Sequence, residues 1–310
     1  MGMEMDLKQE EIAILMATYN GEKYLAEQLD SLLSQTFQNW RLYIHDDGSE
    51  DRTVSVVKEY AEKYPGKIVI IYAPPTGGAK NNFLFLLKCV DAPYIMFCDQ
   101  DDVWLPEKIE KTYRRMKDVE GDRPALVFTD LQVVDQDREL IAPQMSEYQK
   151  LDIDKTWVED FLPENVITGC TVMINRKMAE LARKAEDPSR IIMHDWFMAI
   201  VAARFGLVSC VEEPLILYRQ HGVNSIGAKK LGKDYILQRL THGKDVHDAL
   251  EATRIQAKYV SELFDLPDDD VITRYGRIAE KSKPARLLFY SRNHIHKSGL
   301  IRNIGLVIWG

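Results

Sequence analysis

Cysteine is scarce in this 310-residue chain, and the four present have no chemical spacing. Cys89, Cys98, Cys170 and Cys210 form no CxxC pair and match no zinc-ligand pattern. That excludes a dithiol redox centre and points to reduced, mostly buried thiols in a cytosolic setting. No apolar run approaches the ~18 residues a membrane-spanning helix needs. Met1 to Glu11 is acidic, without the basic start and apolar core of a signal peptide, so the chain is expected on the cytoplasmic side. Positive charge is in deficit as well. The 40 Lys and Arg against 48 Asp and Glu give a formal net charge of −8, which removes nucleic acid from the expected partners. No internal repeat is present. A chain with 45% hydrophobic and 28% charged residues at this length suits one large α/β domain, alone or with an appendage.

The deficit of positive charge is reversed in one place. From Lys281 to Gly310 the chain holds Lys281, Lys283, Arg286, Arg292, Lys297 and Arg302 and no Asp or Glu. Apolar residues and a near-terminal Trp309 accompany them. Such a segment fits a helix resting on an anionic membrane surface. It equally fits a helix packed on the main domain or on a partner subunit.

The first half alternates strand and helix patterns, which argues for a parallel sheet with crossover helices. Ile12–Ala17, Arg41–His45, Lys67–Tyr72 and Tyr94–Phe97 read as strands. Asn20 is expected to cap a helix carrying Leu25, Leu29, Leu32 and Leu33 on one face. Thr53–Tyr64, Asn82–Val90 and Leu105–Val119 read as further helices. Ala125–Asp130 and Cys170–Ile174 read as strands, His194–Phe205 as a helix and Val208–Tyr218 as the last strand. Gln136 to Glu164 is polar and irregular, as expected of a loop near a binding site. From Lys229 onward the pattern is helical. The expected organisation is an α/β domain over residues 1–226 and a helical C-terminal extension over 227–310.

Chemistry concentrates where strands end. Asp99-Gln100-Asp101-Asp102-Val103-Trp104 follows the Tyr94–Phe97 strand, which crowds three carboxylates at a sheet edge where ligands bind in open α/β folds. Crowded carboxylates raise one another's pKa unless a cation holds them ionised, and Mg²⁺ or Mn²⁺ bridging to phosphates is the usual resolution. A solvated acidic turn before the helix near Pro106 is the plainer alternative. Thr18-Tyr19-Asn20 and Asp46-Asp47-Gly48-Ser49 follow two other strands of the same expected sheet. All three clusters therefore converge on one crevice, with groups suited to a base and a ribose.

Together, Ala17-Thr18-Tyr19-Asn20-Gly21, His45-Asp46-Asp47-Gly48-Ser49-Glu50-Asp51 and Asp99-Gln100-Asp101-Asp102-Val103-Trp104 resemble family 2 glycosyltransferases of GT-A fold. Among these the chain is most similar to the bacterial rhamnosyltransferase-like enzymes of O-antigen and capsule assembly. The similarity covers roughly residues 10 to 226. It implies a Rossmann-like, mainly parallel central sheet with flanking helices.

The resemblance also implies roles. Thr18, Tyr19, Asn20 and Glu22 would meet the nucleotide, and Asp47 the base imide. Asp99-Gln100-Asp101 matches the DXD motif: Asp101 would contact Mn²⁺ or Mg²⁺, and Asp99 the ribose, the sugar or the same metal, with Gln100 beside the donor. Lys80 and Asn82 would approach the donor, Lys80 at phosphate. Thr168 and Gly169 would form the turn beneath the acceptor, with Trp104 and Trp196 lining it. Asp195, within His194-Asp195-Trp196, would be the general base of an inverting enzyme, although by residue type alone it reads as a helix N-terminal acid. Tyr218-Arg219-Gln220-His221 matches a segment in which His221 would be a third metal ligand and Arg219 could meet phosphate. His45 is expected to be structural.

The implied activity is metal-dependent transfer from a nucleotide-diphosphate sugar, dTDP-L-rhamnose first, to a glycan or lipid-linked acceptor. A UDP-sugar donor is the alternative within the family. A nucleotidyltransferase would carry an early Gly-rich basic loop, whereas this chain has Tyr19-Asn20-Gly21-Glu22. A silent sugar-nucleotide-binding subunit could dispense with Asp101 or Asp195, and both are present. The basic, apolar C-terminus would suit the inner membrane face.

Overall fold

The computed structural model describes residues 10–221 and 243–310. Among these described residues nine strands form one sheet: β1 (Ile12–Thr18), β2 (Trp40–Asp46), β3 (Ile68–Ile70), β4 (Tyr94–Cys98), β5 (Val103–Trp104), β6 (Ala125–Val134), β7 (Leu140–Ala142), β8 (Met173–Asn175) and β9 (Leu207–Arg219). Their order is β3-β2-β1-β4-β8-β6-β9-β5, with β7 beside β6. The first four strands are parallel to one another. Beyond β4 the sheet continues through antiparallel β8 to β6, which pairs in parallel with β9.

Helices α1 (Leu25–Leu33), α2 (Thr53–Lys63), α3 (Ala79–Cys89), α4 (Lys108–Val119), α5 (Met145–Gln149), α6 (Val158–Phe161), α7 (Arg176–Ala182) and α8 (His194–Phe205) flank the sheet. After the second described stretch begins come α9 (Gly243–Leu263), α10 (Val271–Gly276), α11 (Lys283–Arg292) and α12 (Leu300–Trp309).

The apolar runs are buried on both sides of the sheet, which is why they read as continuous rather than alternating. Successive side chains nevertheless serve opposite layers, as the strand period of two requires. Ile12, Ile14 and Met16 of β1 pack with Leu25 and Leu29 of α1 and with Ile109 and Met116 of α4. Ala13 and Leu15 of the same strand face Phe83 and Leu87 of α3 and the apolar side of α8. The second layer runs without a break into Val246, Leu250 and Val260 of α9 and on to Phe289 and Leu306. The C-terminal helices thus share a core with the sheet. The expected boundary at residue 226, and the Lys229–His242 part of the helical pattern, lie outside the described residues.

Several expectations shift. Asn20 does not cap α1: it takes a left-handed backbone conformation (φ 46°), and the helix begins at Leu25. Its side-chain oxygen accepts the amide of Glu50 instead, at 2.9 Å. The Cys170–Ile174 strand is shorter, because Gly169–Thr171 forms a 3₁₀ turn before β8. Within Gln136–Glu164 the chain contains β7, α5 and α6. Part of that order comes from Asp130, whose carboxylate accepts both the amide and the hydroxyl of Ser146 at the start of α5. That anchor is a long-range contact invisible to periodicity.

Gly206 joins α8 to β9 where the chain crosses Pro124, and any Cβ there would collide with the Pro124 carbonyl oxygen. That oxygen accepts the Leu207 amide at 3.0 Å and cannot move freely. Gly206→Ala should therefore destabilise the protein by about 1–3 kcal/mol, measured as a lower denaturation midpoint with an unchanged m-value.

Candidate active site

The parallel half of the sheet brings the ends of β1, β2 and β4 to one edge. There the loops after β1 and β2 are laced together. Thr18 Oγ1 donates to Asp46 Oδ1 at 2.9 Å, and the amides of Gly48 and Ser49 close onto Asp46 Oδ2. Asn20 N donates to Ser49 Oγ, Gly21 N to Thr53 Oγ1 and Glu22 N to Asp51 Oδ2. Glu22 returns the contact by accepting the Arg52 amide at 2.8 Å. Gln100 fastens the third loop to the first, accepting the Tyr19 amide and donating to the Tyr19 carbonyl, both at 2.9 Å. Asp47 gathers the Thr76–Gly78 loop through three backbone amides and the Thr76 hydroxyl. Burial acts to raise its pKa, but those donors overcome it and hold the carboxyl below the usual range.

These loops wall a cavity of about 1420 Å³. Across its floor runs the acidic loop. Asp99 is half-buried, and burial, then the charges of Asp101 and Asp195, push its pKa up. Asp102 is buried, and burial with Asp101 and Asp99 raises it further. Its Oδ1 accepts the Arg219 amide at 3.1 Å. The Asp99 and Asp102 carboxylates and Cys170 Sγ lie within 4.8 Å of one another. Burial and those two carboxylates keep the Cys170 thiol protonated, well above its ordinary pKa.

Two cations answer this acidity. Arg219, only 2% exposed, threads behind the loop, donating to the Asp101 carbonyl at 2.9 Å, the Gln136 carbonyl at 2.7 Å and Glu27 Oε2 at 2.5 Å. Its guanidinium also lies 4.5 Å over the Tyr24 ring. Lys108 is fully buried, 4.7 Å over the Trp104 ring and 3.3 Å from the Thr171 carbonyl. Burial lowers its pKa to about 8 despite the acidic groups nearby. On the cavity side, His221 Nε2 sits 2.7 Å from Asp101 Oδ2, with its ring stacked on Tyr24 at 5.0 Å.

The opposite wall is the start of α8. Asp195 is buried, and burial raises its pKa to about 6 even though the amides of Trp196 and Gly169 and the Asn165 side chain hold it down. Trp196 is oriented by its indole N–H, which donates to the Phe161 carbonyl at 2.7 Å. His194 packs between Phe83 and Phe97, and burial drives its pKa down to about 3. A Cβ on Gly169 would stand 2.9 Å from His194 Nε2 and 3.7 Å from Asp195 Oδ2. Only glycine lets this turn pass so close to the His194 ring beside that acid.

A profile described as glycosyl transferase family 2 matches residues 13–181, more than half of the chain. The chain belongs to glycosyltransferase family 2. It is 33% identical over 229 residues to the dTDP-rhamnosyl transferase RfbG of Shigella flexneri, covering 69% of this chain and 74% of that one. It is 29% identical over 143 residues to the Escherichia coli UDP-Glc:alpha-D-GlcNAc-diphosphoundecaprenol beta-1,3-glucosyltransferase WfgD, covering 45% and 54% of the two chains. Among solved structures it resembles S. aureus TarS 1-349 in complex with UDP, with a TM-score of 0.56 at 16% identity over 88% of this chain and 73% of that chain. The fold is accordingly of GT-A type, a curled mixed sheet with flanking helices.

In this glycosyltransferase the cavity is lined by Thr18, Tyr19, Asn20, Glu22 and Asp47 on the side of the laced loops. Asp99, Gln100, Asp101 and His221 line its floor, and Thr168, Gly169, Asp195 and Trp196 the far wall. Asn82 reaches the cavity but is also bonded on both sides to His45, through 2.9 and 3.0 Å contacts, which makes His45 a structural partner as expected.

Two candidates fall outside. Trp104 is 1% exposed: β5 pairs with β9 and turns the indole into the core against Ile109, away from any acceptor. Lys80 turns its ammonium to the Ile191 carbonyl at 2.6 Å rather than into the cavity. Arg219 likewise spends its donors on protein oxygens, and its place is behind the acidic loop. Asn165, Lys297 and Arg302 line the cavity without having been expected there. The two cations lie in the acid-free C-terminal stretch, so charge alone marked them; nothing in the sequence marked Asn165.

Gly169→Ala should displace the buried His194 ring and, through the start of α8, its neighbour Asp195. The expected result is a fall in kcat for sugar transfer of about tenfold or more, with nucleotide affinity within about twofold of the parent.

Proposed function

We propose that the protein is an inverting glycosyltransferase that moves a sugar from a nucleotide-diphosphate donor to a glycan or lipid-linked acceptor in surface polysaccharide assembly. The observation that carries this reading is the buried Asp195 carboxylate, raised to about 6, facing the Asp99–Asp101 carboxylates across one cavity. A carboxylate with a pKa near neutrality is strong enough to take a hydroxyl proton and still ionised when it must act. Asp195 would accept the acceptor's hydroxyl proton as that oxygen forms its bond to the anomeric carbon. The bond from that carbon to the diphosphate oxygen breaks on the opposite face, and the nucleoside diphosphate departs.

The acidic floor fits a divalent cation, Mn²⁺ or Mg²⁺. Asp101 and His221 already meet at 2.7 Å, and burial together with the charges of Asp101 and Asp195 raises the pKa of Asp99, a cost that a cation there would relieve. Asp101, Asp99 and His221 would hold the ion, which supplies charge neutralisation for the leaving diphosphate. Thr18, Tyr19, Asn20, Glu22 and Gln100 shape the nucleotide side through backbone and side-chain contacts, with Asp47 beside the base and Asn82 nearby. Thr168, Gly169 and Trp196 would bound the acceptor.

For the donor, the 33% identity to a dTDP-rhamnosyl transferase makes dTDP-L-rhamnose the first choice. The shorter similarity to a UDP-glucose-dependent enzyme supports a UDP-sugar as the second reading.

Asp195 must be ionised to accept a proton. With its pKa raised to about 6, kcat should be level above pH ~7 and fall about tenfold per unit below pH ~6. Asp195→Asn should abolish that acid limb and cut transfer by about 10²-fold or more while leaving donor binding intact; near-parental transfer would remove Asp195 from the mechanism. Calorimetric titration with dTDP and UDP, each with and without Mn²⁺, tests donor and metal together. Mn²⁺-dependent binding with dTDP preferred is the expected outcome. A preference for UDP would replace the donor, and metal-independent binding would remove the ion.

A further inference from the structure

Helix α12 is amphipathic in the inverted sense. Leu300, Ile304, Val307 and Ile308 stand at i, i+4, i+7 and i+8, the spacing of a single helix face. All four are exposed, from 43% at Ile308 to 76% at Leu300. The polar side chains of the same helix turn inward. Arg302 donates to the carbonyls of Gln149 at 2.7 Å and Lys150 at 3.0 Å and pairs with Glu164 at 3.3 Å. Asn303 exchanges hydrogen bonds with the backbone of Lys297. Only Leu306 of this helix is fully buried. A helix at the surface of a water-soluble protein ordinarily does the reverse.

A second helix widens the face. Lys283 Nζ donates to the Ile308 carbonyl at 2.8 Å, which sets the start of α11 beside the end of α12. Leu288 of α11 is half exposed. Lys281, Lys283 and Arg292 of the same acid-free segment are exposed, Lys283 beside the end of α12, and no Asp or Glu occurs between Lys281 and Gly310.

We propose that this face docks on an anionic lipid surface. Apolar side chains would enter the headgroup–acyl boundary while the cations meet lipid phosphates. A second copy of the chain suits the face poorly. Five side chains fall short of the ~800 Å² per partner that a stable interface buries. A two-fold contact would also set the same cations against themselves. The docking stands on the surface alone. Its use rests on the reading of the cavity given above: Lys297 and Arg302, from the same segment, line that cavity. Arg302 meets the cavity from the side of α12 opposite its apolar face, so the docked surface and the cavity wall would lie one helix diameter (~10 Å) apart, within reach of a lipid-linked acceptor.

Flotation of the 310-residue chain with vesicles tests this. Phosphatidylcholine vesicles containing about 30% phosphatidylglycerol should bind it at least about tenfold more tightly than phosphatidylcholine alone, and about 0.5 M salt should weaken that binding. Ile304→Glu combined with Ile308→Glu should lose about tenfold or more of the vesicle affinity, with an unchanged circular dichroism spectrum and unchanged nucleotide binding. Lys281→Glu combined with Arg292→Glu gives a second test that leaves the helix's apolar side chains in place, and it should lose the preference for anionic vesicles. Parental binding by both variants, or no binding by the unmodified chain, overturns the proposal. So does a dimer in light scattering that the isoleucine variant dissolves. Because vesicle binding requires neither donor nor transfer, its failure is separate from failure of the glycosyltransfer reading.

Discussion

Asp99, Asp101 and Asp102 crowd three carboxyls on the floor of the cavity, the last of them fully enclosed, and much of the surrounding structure answers the cost of burying and crowding them. Asp102 is inside the protein and pays for its position with a backbone amide from Arg219. Arg219 in turn grips the loop from behind while Glu27 balances its charge. Lys108 adds an ammonium from beneath, and the Cys170 and Cys98 thiols stay neutral because the acids and burial hold them protonated. The side toward the cavity is left acidic. What the interior cations compensate from below, a bound cation can compensate from above, and the two arrangements differ in which carboxylates remain available to it.

The facing wall lacks the added repulsion. Among the described residues Asp195 has no ion-pair partner; its pKa rises because α8 begins in an apolar setting, with His194 kept neutral between Phe83 and Phe97. One cavity thus holds, on its floor, acids raised by burial and then by one another's charge, and on its far wall an acid raised by burial alone. The group proposed to take a proton and the groups proposed to attract a cation therefore differ in whether neighbouring carboxylates add to the cost.

The sequence revealed the parts governed by local rules and by motif. The apolar runs of β1, β2 and β4 are short, continuous and bounded by polar turns, as buried parallel strands are, and convergence of the three loops follows from parallel topology. Asp101 and His221 came from motif resemblance and are neighbours in space. Failures occurred where a distant segment decides the outcome. Trp104 carries the look of an acceptor platform, but two residues of pairing with β9 turn it inward. Lys80 has the right charge in the right loop, yet the Ile191 carbonyl, over a hundred positions away, captures its ammonium. Asn20 has the composition of a helix cap and serves instead to join two loops. Lys108 shows how much remains unread: in sequence it is one of many lysines on a charged helix, and in the fold it is wholly enclosed.

The apolar layer that passes from β1 through α8 into α9 and α12 has a consequence for inheritance. A tail hung from a finished domain could be exchanged between relatives to suit a new setting, with the catalytic part indifferent to the swap. Here Leu250, Val260 and Leu306 complete the same interior that fixes the helix bearing Asp195. Replacing the tail would mean rebuilding the wall that holds Asp195, so drift in the one is constrained by selection on the other.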